Sequence, residues 1–302
     1  MCYKGGMWRL IFFVLCTAAA AMTRDEIVSL QVTLDDAGFS PGLIDGSSGG
    51  LTHQALAAWQ SAHGLKPTGE FDTATAAVFP AGGPVFTNCA VTAEEVAQLT
   101  VITEDWLERS KLKAMWFTSV AEMVAERAHA SEGLIRALNP GITNAPDDSV
   151  RVPYHQAGKL PKAARLRVNL SAKTISALDA EGKVIALFPC SIAADQEKRP
   201  VGQLTVATVA LNPDYTYDPV NFPELDEKQK GYGKLMIPPG PNNPVGTAWI
   251  GLSRPGYGIH GTPHPEQIGK TFSHGCFRLA NWNAYRLAQM VTIGMPVEVV
   301  GE

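Results

Sequence analysis

YGIHGTPHPEQIGKTFSHGCFRL, residues 257–279, gathers the chain's reactive side chains. Three of the seven histidines, His260, His264 and His274, lie here beside Cys276. A cysteine nucleophile needs a nearby base or a positive environment, because free Cys has a pKa of about 8.5 and the thiolate is the reactive form. His260 and His274 are the expected suppliers. Gly261 and Gly275 leave room for a substrate backbone. The run His274-Gly275-Cys276 can aim successive backbone N–H groups at one point, as an oxyanion hole requires. The bland alternative for Cys276 is a buried, inert thiol; its place between His274 and Arg278 argues against that.

Outward from this stretch the hydrophobic pattern has period 2. Runs at Leu166–Leu170, Thr174–Leu178, Val184–Ile192, Leu204–Leu211, Ala248–Leu252, Gly258–His260 and Val297–Val300 predict strands, and Asn281–Val291 predicts a helix. Residues 212–245 are rich in Pro, Asn and Gly and predict a long loop able to cover a site. Residues 164–302 thus form a mostly-β domain.

HGT at 260–262, followed by SHGCFRL at 273–279, resembles the L,D-transpeptidase catalytic domain of the YkuD type. The preceding PPGPNNPVGTAWIGLSRPGYGIHGT, 238–262, looks like the periplasmic, Gram-negative branch. The resemblance implies that Cys276 is the acylated nucleophile and His260 the acceptor of its proton. It implies that the Gly261 carbonyl orients the imidazole and that Ser273 and His274 shape the site. The Gly275 and Cys276 N–H groups match the oxyanion hole; Arg278, Tyr257 and Thr262 match the substrate side. Where the family carries Thr-Pro-x-Gly, this chain has Arg199-Pro200-Val201-Gly202.

Residues 24–80 read differently. Ile27, Leu30, Gln31, Leu34 and Ala37 follow helical spacing, a second helix is predicted at Thr52–His63, and Asp72 or Thr73 opens a third. Leu30-Gln31, Gly42-Leu43-Ile44-Asp45-Gly46, Trp59-Gln60, Gly69 and Asp72-Thr73 together resemble the peptidoglycan-binding domain type 1, which implies a wall-binding module. Residues 79–88 read as a linker. Residues 90–153 hold short helical patterns, an Asn139-Pro140-Gly141 turn and a closing Val150-x-Val152-Pro153 strand. They loosely resemble a LysM domain, a βααβ unit with its entry strand at Lys113–Phe117; a plain helical spacer is the alternative. The chain is therefore expected to be a multidomain α+β protein: a three-helix wall-binding domain, a LysM-like segment and the catalytic domain.

The 302 residues carry 25 Lys+Arg and 29 Asp+Glu, a net charge of −4 that argues against phosphate-driven nucleic-acid binding. Lys4 and Arg9, the apolar run Leu10–Cys16 and the small residues Ala18–Ala21 make residues 1–21 a predicted signal peptide, too short in its apolar core to span a bilayer. Export places the protein in the periplasm or cell envelope. Cleavage would leave Cys89, Cys190 and Cys276, an odd number that predicts one disulfide and one free thiol. For Cys190 a core position and a bond to Cys89 are both open. His53, His63, His129 and His155 show no partner pattern and read as surface or structural. His260, His264, His274 and Cys276 are adequate zinc ligands, but Pro263 and Pro265 prevent a shared helical face; no metal or other cofactor is expected.

The family resemblance implies thioester formation on peptidoglycan stem peptides. The acceptor would be a neighbouring diamino acid (a 3→3 cross-link), a lipoprotein lysine or a free D-amino acid. Alternatives are hydrolysis by an L,D-carboxypeptidase and a non-catalytic peptidoglycan-binding protein.

Overall fold

The computed structural model describes residues 22–81, 83–156, 158–221, 227–270 and 275–301. The predicted signal peptide lies outside them, as do Ser273 and His274. No helix among the described residues is long and apolar enough to cross a membrane.

Three helices open the chain: α1 (Arg24–Asp36), α2 (Gly50–Ala62) and α3 (Thr73–Val78). Thr23 and Glu26 close a capping box on α1, and Asp72 caps α3. Leu30, Leu34, Leu56 and Trp59 form their core. Two buried glutamines tie the turns down. Gln31 Oε1 accepts the N–H groups of Asp45 (3.0 Å) and Gly46 (2.9 Å), and Gln60 Oε1 accepts that of Gly69 (2.9 Å). That explains why Leu-Gln and Trp-Gln each precede a Gly-rich turn.

The second unit runs from β1 (Phe86–Val91) through α4 (Ala93–Ala97), α5 (Trp106–Ser110), α6 (Val120–Arg127) and α7 (Glu132–Leu138) to β2 (Asp147–Pro153). The strands pair antiparallel, Phe86 opposite Pro153. The entry strand therefore begins in the segment expected to be a linker, and Lys113–Phe117 is not a strand. Lys113–Phe117 serves tertiary contacts instead: Met115 is fully buried, and its N–H donates to the Pro239 carbonyl.

The third unit contains β3 (Arg165–Asn169), β4 (Thr174–Leu178), β5 (Val184–Pro189), β6 (Gly202–Leu211), β9 (Ala248–Leu252), β10 (Gly258–His260), β11 (Phe277–Arg278), α9 (Asn281–Met290) and β12 (Pro296–Val300). Among the described residues these strands form one sheet in the order β11-β10-β9-β6-β12-β3-β4-β5. Ser191, just past β5, bridges to Arg278 of β11, so the sheet curls until its two ends touch. α9 packs on β6, β9 and β10.

Residues 212–245 are not simply loop. They hold a two-stranded sheet, β7 (Tyr215–Tyr217) and β8 (Leu235–Ile237), with α8 (Glu227–Lys230) between. The second unit grips this insertion: Trp106 stacks on Tyr217 at 4.6 Å, and Asp105 accepts from Lys228 (2.7 Å) and Tyr232 (2.9 Å).

The units share cores. Val28, Val32 and Ile44 of the first pack with Met123, Val124 and Ile135 of the second. Leu187 of β5 packs with Leu34, Phe39 and Trp59. Residues 38–40 lie along β5, Leu187 N–H donating to Gly38 O and Ser40 N–H to Leu187 O, both 2.9 Å.

Candidate active site

β10 and β11 pair in parallel, Ile259 opposite Phe277 and His260 opposite Arg278, while β9 sets Trp249 opposite His260. Side chains alternate faces along a strand. Ile250, Ile259 and Phe277 enter the core, at most 1% exposed. Trp249, His260 and Arg278 share the opposite face, and Cys276, two residues before Arg278, falls on the same side. The period-2 pattern that builds the core thus also assembles the reactive groups.

His260 is buried. Its Nδ1 donates to the Gly261 carbonyl at 2.7 Å, which leaves Nε2 with the lone pair. Trp249 stacks over the ring at 5.6 Å and 23°. Burial pushes its pKa down to about 4, against the Gly261 bond and helped by the Arg278 charge. His260 is therefore a neutral imidazole at pH 7, in the state a proton acceptor requires.

Burial raises the Cys276 thiol, although the Gly258 N–H and Arg278 favour the thiolate. Its Sγ lies 3.5 Å from the Gly256 carbonyl. The resting pair is thus thiol and imidazole rather than thiolate and imidazolium. Such a pair works by passing the proton as the sulfur attacks. Gly258 leaves room for the Trp249 ring where it stands: a methyl there would sit 2.6 Å from it.

Among the predicted residues, His260 and Arg278 stand opposite one another, Cys276 feels the Arg278 charge, Gly261 holds the His260 ring, and Tyr257 lies beside Gly275 under the Arg254 guanidinium (4.5 Å). Thr262 is buried, and its Oγ1 accepts the His264 N–H. His264 is on an exposed loop 3.6 Å from Glu266. Three functional neighbours were not anticipated. Trp249 and Gly258 are set by strand register, which spacing does not reveal. Tyr215 comes from the insertion; burial pushes its hydroxyl up to about 12, with the Cys276 charge adding to the effect.

The predicted disulfide is absent: Cys89 and Cys190 are both free. Cys89 sits in β1 and Cys190 in the core of the third unit, where burial drives its thiol up to about 12. The core reading of Cys190 holds, and the odd-cysteine arithmetic does not yield a bond.

His129 and His155 have partners that the sequence did not indicate. His129 Nδ1 donates to Asp35 Oδ2 at 2.7 Å, and Arg286 Nη1 of α9 reaches the same oxygen at 3.1 Å. His155 donates to Asp36 Oδ1 (2.8 Å) and Ala128 O (3.0 Å). Asp35 is wholly buried; burial alone would raise it, but His129, Arg286 and His155 bring it down to about 2. Asp35, His129 and His155 place ligand-type atoms within 4.8 Å of one another. Arg286 already balances that carboxylate through Oδ2, so the cluster is an ionic junction of all three units, with Asp35 Oδ1 left buried and without a hydrogen-bond partner. A cavity of about 740 Å³ opens beside it, lined by Glu126, His129, Trp282 and Arg286 and not by Cys276.

Residues 163–299 match the L,D-transpeptidase catalytic domain, YkuD, and residues 23–79 match the family described as "Putative peptidoglycan binding domain". The chain is 26% identical over 181 residues to "Putative L,D-transpeptidase YkuD" of Bacillus subtilis (strain 168), covering 60% of this chain and 86% of that protein. It spans 37%, 63% and 61% of three further curated relatives. An L,D-transpeptidase (residues 123–326) from Xylanimonas cellulosilytica aligns over 91% of this chain and 93% of its own, at 16% identity and a TM-score of 0.38. An L,D-transpeptidase from Mycobacterium smegmatis aligns over 53% and 64%, at 18% identity and a TM-score of 0.35. The chain carries a YkuD-type L,D-transpeptidase catalytic domain behind an N-terminal peptidoglycan-binding domain.

Proposed function

We propose that this chain is an exported cysteine L,D-transpeptidase that acts on peptidoglycan stem peptides through an acyl-enzyme on Cys276. One observation supports the reading: within the matched domain, a His260 locked by Gly261 into the Nδ1–H tautomer stands on β10 opposite Arg278 of β11, and Cys276 lies two residues before Arg278. A neutral imidazole on the strand next to a cysteine suits a thiol nucleophile and its base.

Cys276 Sγ attacks the carbonyl carbon of the L-centre at position three of the stem. His260 Nε2 takes the thiol proton as the S–C bond forms. The oxyanion is met by the N–H groups of Gly275 and Cys276. Collapse breaks the C–N bond, and His260 returns the proton to the departing D-alanine amine, leaving a thioester. The side-chain amine of a neighbouring diamino acid attacks the thioester and gives a 3→3 cross-link; the thiol recovers its proton. Arg278 faces the charged part of the stem and Tyr257 lines its path. The N-terminal domain holds the enzyme on the wall of the cell envelope.

The test is intact mass after incubation with a carbapenem, for the wild type and Cys276→Ala. A single adduct on the wild type alone supports an activated acyl acceptor. No adduct on a folded, reduced wild type overturns the reading. Incubation with a tetrapeptide stem and an amine then separates transfer from hydrolysis: a product lacking the amine would make the enzyme a carboxypeptidase.

A further inference from the structure

The bond from His260 Nδ1 to Gly261 O is only as well placed as Gly261 itself. Gly261 N–H reaches Ala248 O at a long 3.2 Å. Its Cα is packed against the backbone of Gly246 and Thr247 with Asn281 Oδ1 wedged alongside, so closely that a methyl on Gly246 or Gly261 would overlap that oxygen. Asn281 is 1% exposed and its amide is held at both ends. Oδ1 accepts the Thr247 N–H at 3.2 Å. Nδ2 donates to Pro241 O at 2.9 Å and to both carboxyl oxygens of Glu126 at 3.1 Å.

Glu126 lies on α6, outside the matched catalytic domain. The same helix and the turn before it grip the loop that carries Gly246: Asn242 Nδ2 donates to Trp116 O at 2.9 Å and to Glu122, and Asn242 N–H to Met115 O at 2.9 Å. The second unit therefore reaches the base of the site at two points. Glu126 also lies on the wall of the junction cavity, where water has room to hydrate the rest of its carboxyl group.

We propose that Glu126 is a positioning residue for His260, acting through the Asn281 amide and the Gly261 turn. The proposal rests on the reading of His260 as the base. Without Glu126 one buried Asn281 N–H loses its acceptor. An amide that turns over to regain one would aim a donor at the Thr247 N–H and the Gly261 turn, where an acceptor now sits. The Gly261 carbonyl then moves, and the imidazole loses the bond that fixes its tautomer and direction. Displacement of a reacting group by about 1 Å costs up to ~100-fold in rate.

Two readouts on the full chain test this, for Glu126→Ala and Glu126→Gln. The first is the ¹⁵N spectrum of histidine-labelled protein, with His260 assigned by its loss in His260→Asn. The second is the rate constant for carbapenem acylation of Cys276. The wild type is expected to show a single Nδ1–H tautomer. Glu126→Ala should mix the tautomers and slow acylation at least ~10-fold. Glu126→Gln keeps an acceptor for Asn281 and should stay within about threefold. If Glu126→Ala does not fold, Glu126→Asp, which withdraws the acceptor by one carbon, takes its place with the same expectation. A folded variant with an unchanged tautomer and a rate within about twofold overturns the proposal, since a merely structural Glu126 would move the melting temperature alone. A wild type with the Nδ1–H tautomer, lost in Glu126→Ala, that takes no adduct sustains the positioning role and overturns the transpeptidase reading instead.

Discussion

Arg286→Met tests how strongly the three units are joined. The substitution keeps the unbranched stem and removes the guanidinium, which donates to Asp35 Oδ2 (3.1 Å) and to the Asp35 carbonyl (2.8 Å). Asp35 is 0% exposed, so its carboxylate cannot turn to water for relief. Breaking a buried ion pair on one side costs about 3–5 kcal/mol. At about 2–4 °C per kcal/mol for a chain of this size, the melting temperature at pH 7 should fall by roughly 6–20 °C. The loss has a pH signature. Asp35 is held ionised down to about 2 from an ordinary 3.8. A depressed carboxylate pKa contributes stability above the unfolded value, and that contribution disappears as pH falls through the folded one; here it is about 2 kcal/mol. Without Arg286 the carboxyl, held by His129 and His155 alone, protonates earlier and the undercompensated charge vanishes. The gap between variant and wild type should therefore narrow from pH 7 to pH 3. Differential scanning calorimetry at both pH values measures it. A variant melting within 2 °C of wild type at pH 7, or a gap that does not narrow, would refute the account of the junction.

Gly258→Ala should fold, because Trp249 is half-buried and its ring can swing outward, but the displaced indole no longer stacks on His260. Carbapenem acylation should slow ~10-fold or more by the same displacement reasoning; a rate within twofold of wild type would show that the indole does not hold the imidazole. Burial lowers His260 to about 4, so it stays unprotonated through neutral pH, and the acid limb of the acylation profile should centre near pH 4. A limb centred near 6.5 in stopped-flow measurements would mean that the imidazole is solvated.

Most of the large sheet was legible because its strands alternate cleanly, and a candidate site could be named because Cys276 and His260 lie on local motifs. What stayed hidden depends on long-range register. Nothing near Trp249 says that it will stack on His260, and nothing near Glu126 says that it will meet Asn281, 155 positions later. The entry strand Phe86–Val91 stayed hidden because it begins inside the stretch 79–88 that composition marks as linker, its burial is irregular and it pairs with a segment some sixty residues away. β11 is two residues long, below the length at which alternation can be seen. Cysteine counting failed for another reason: a small apolar thiol such as Cys190 earns its place by packing, and parity says nothing about packing.

The short stretch Gly38–Ser40 lying along β5 has one more effect. β5 ends the sheet, and an uncovered terminal strand offers unpaired N–H and C=O groups to any other chain. Natural sheets blunt such edges with charge or proline, whereas the outer residues here include Val184 and Leu187, whose apolar surface the first unit covers. The first unit thus doubles as a guard against self-association. A catalytic half cut free at residue 163 would carry an adhesive edge, and its tendency would be to pair with its own copies into aggregates before any substrate reached it.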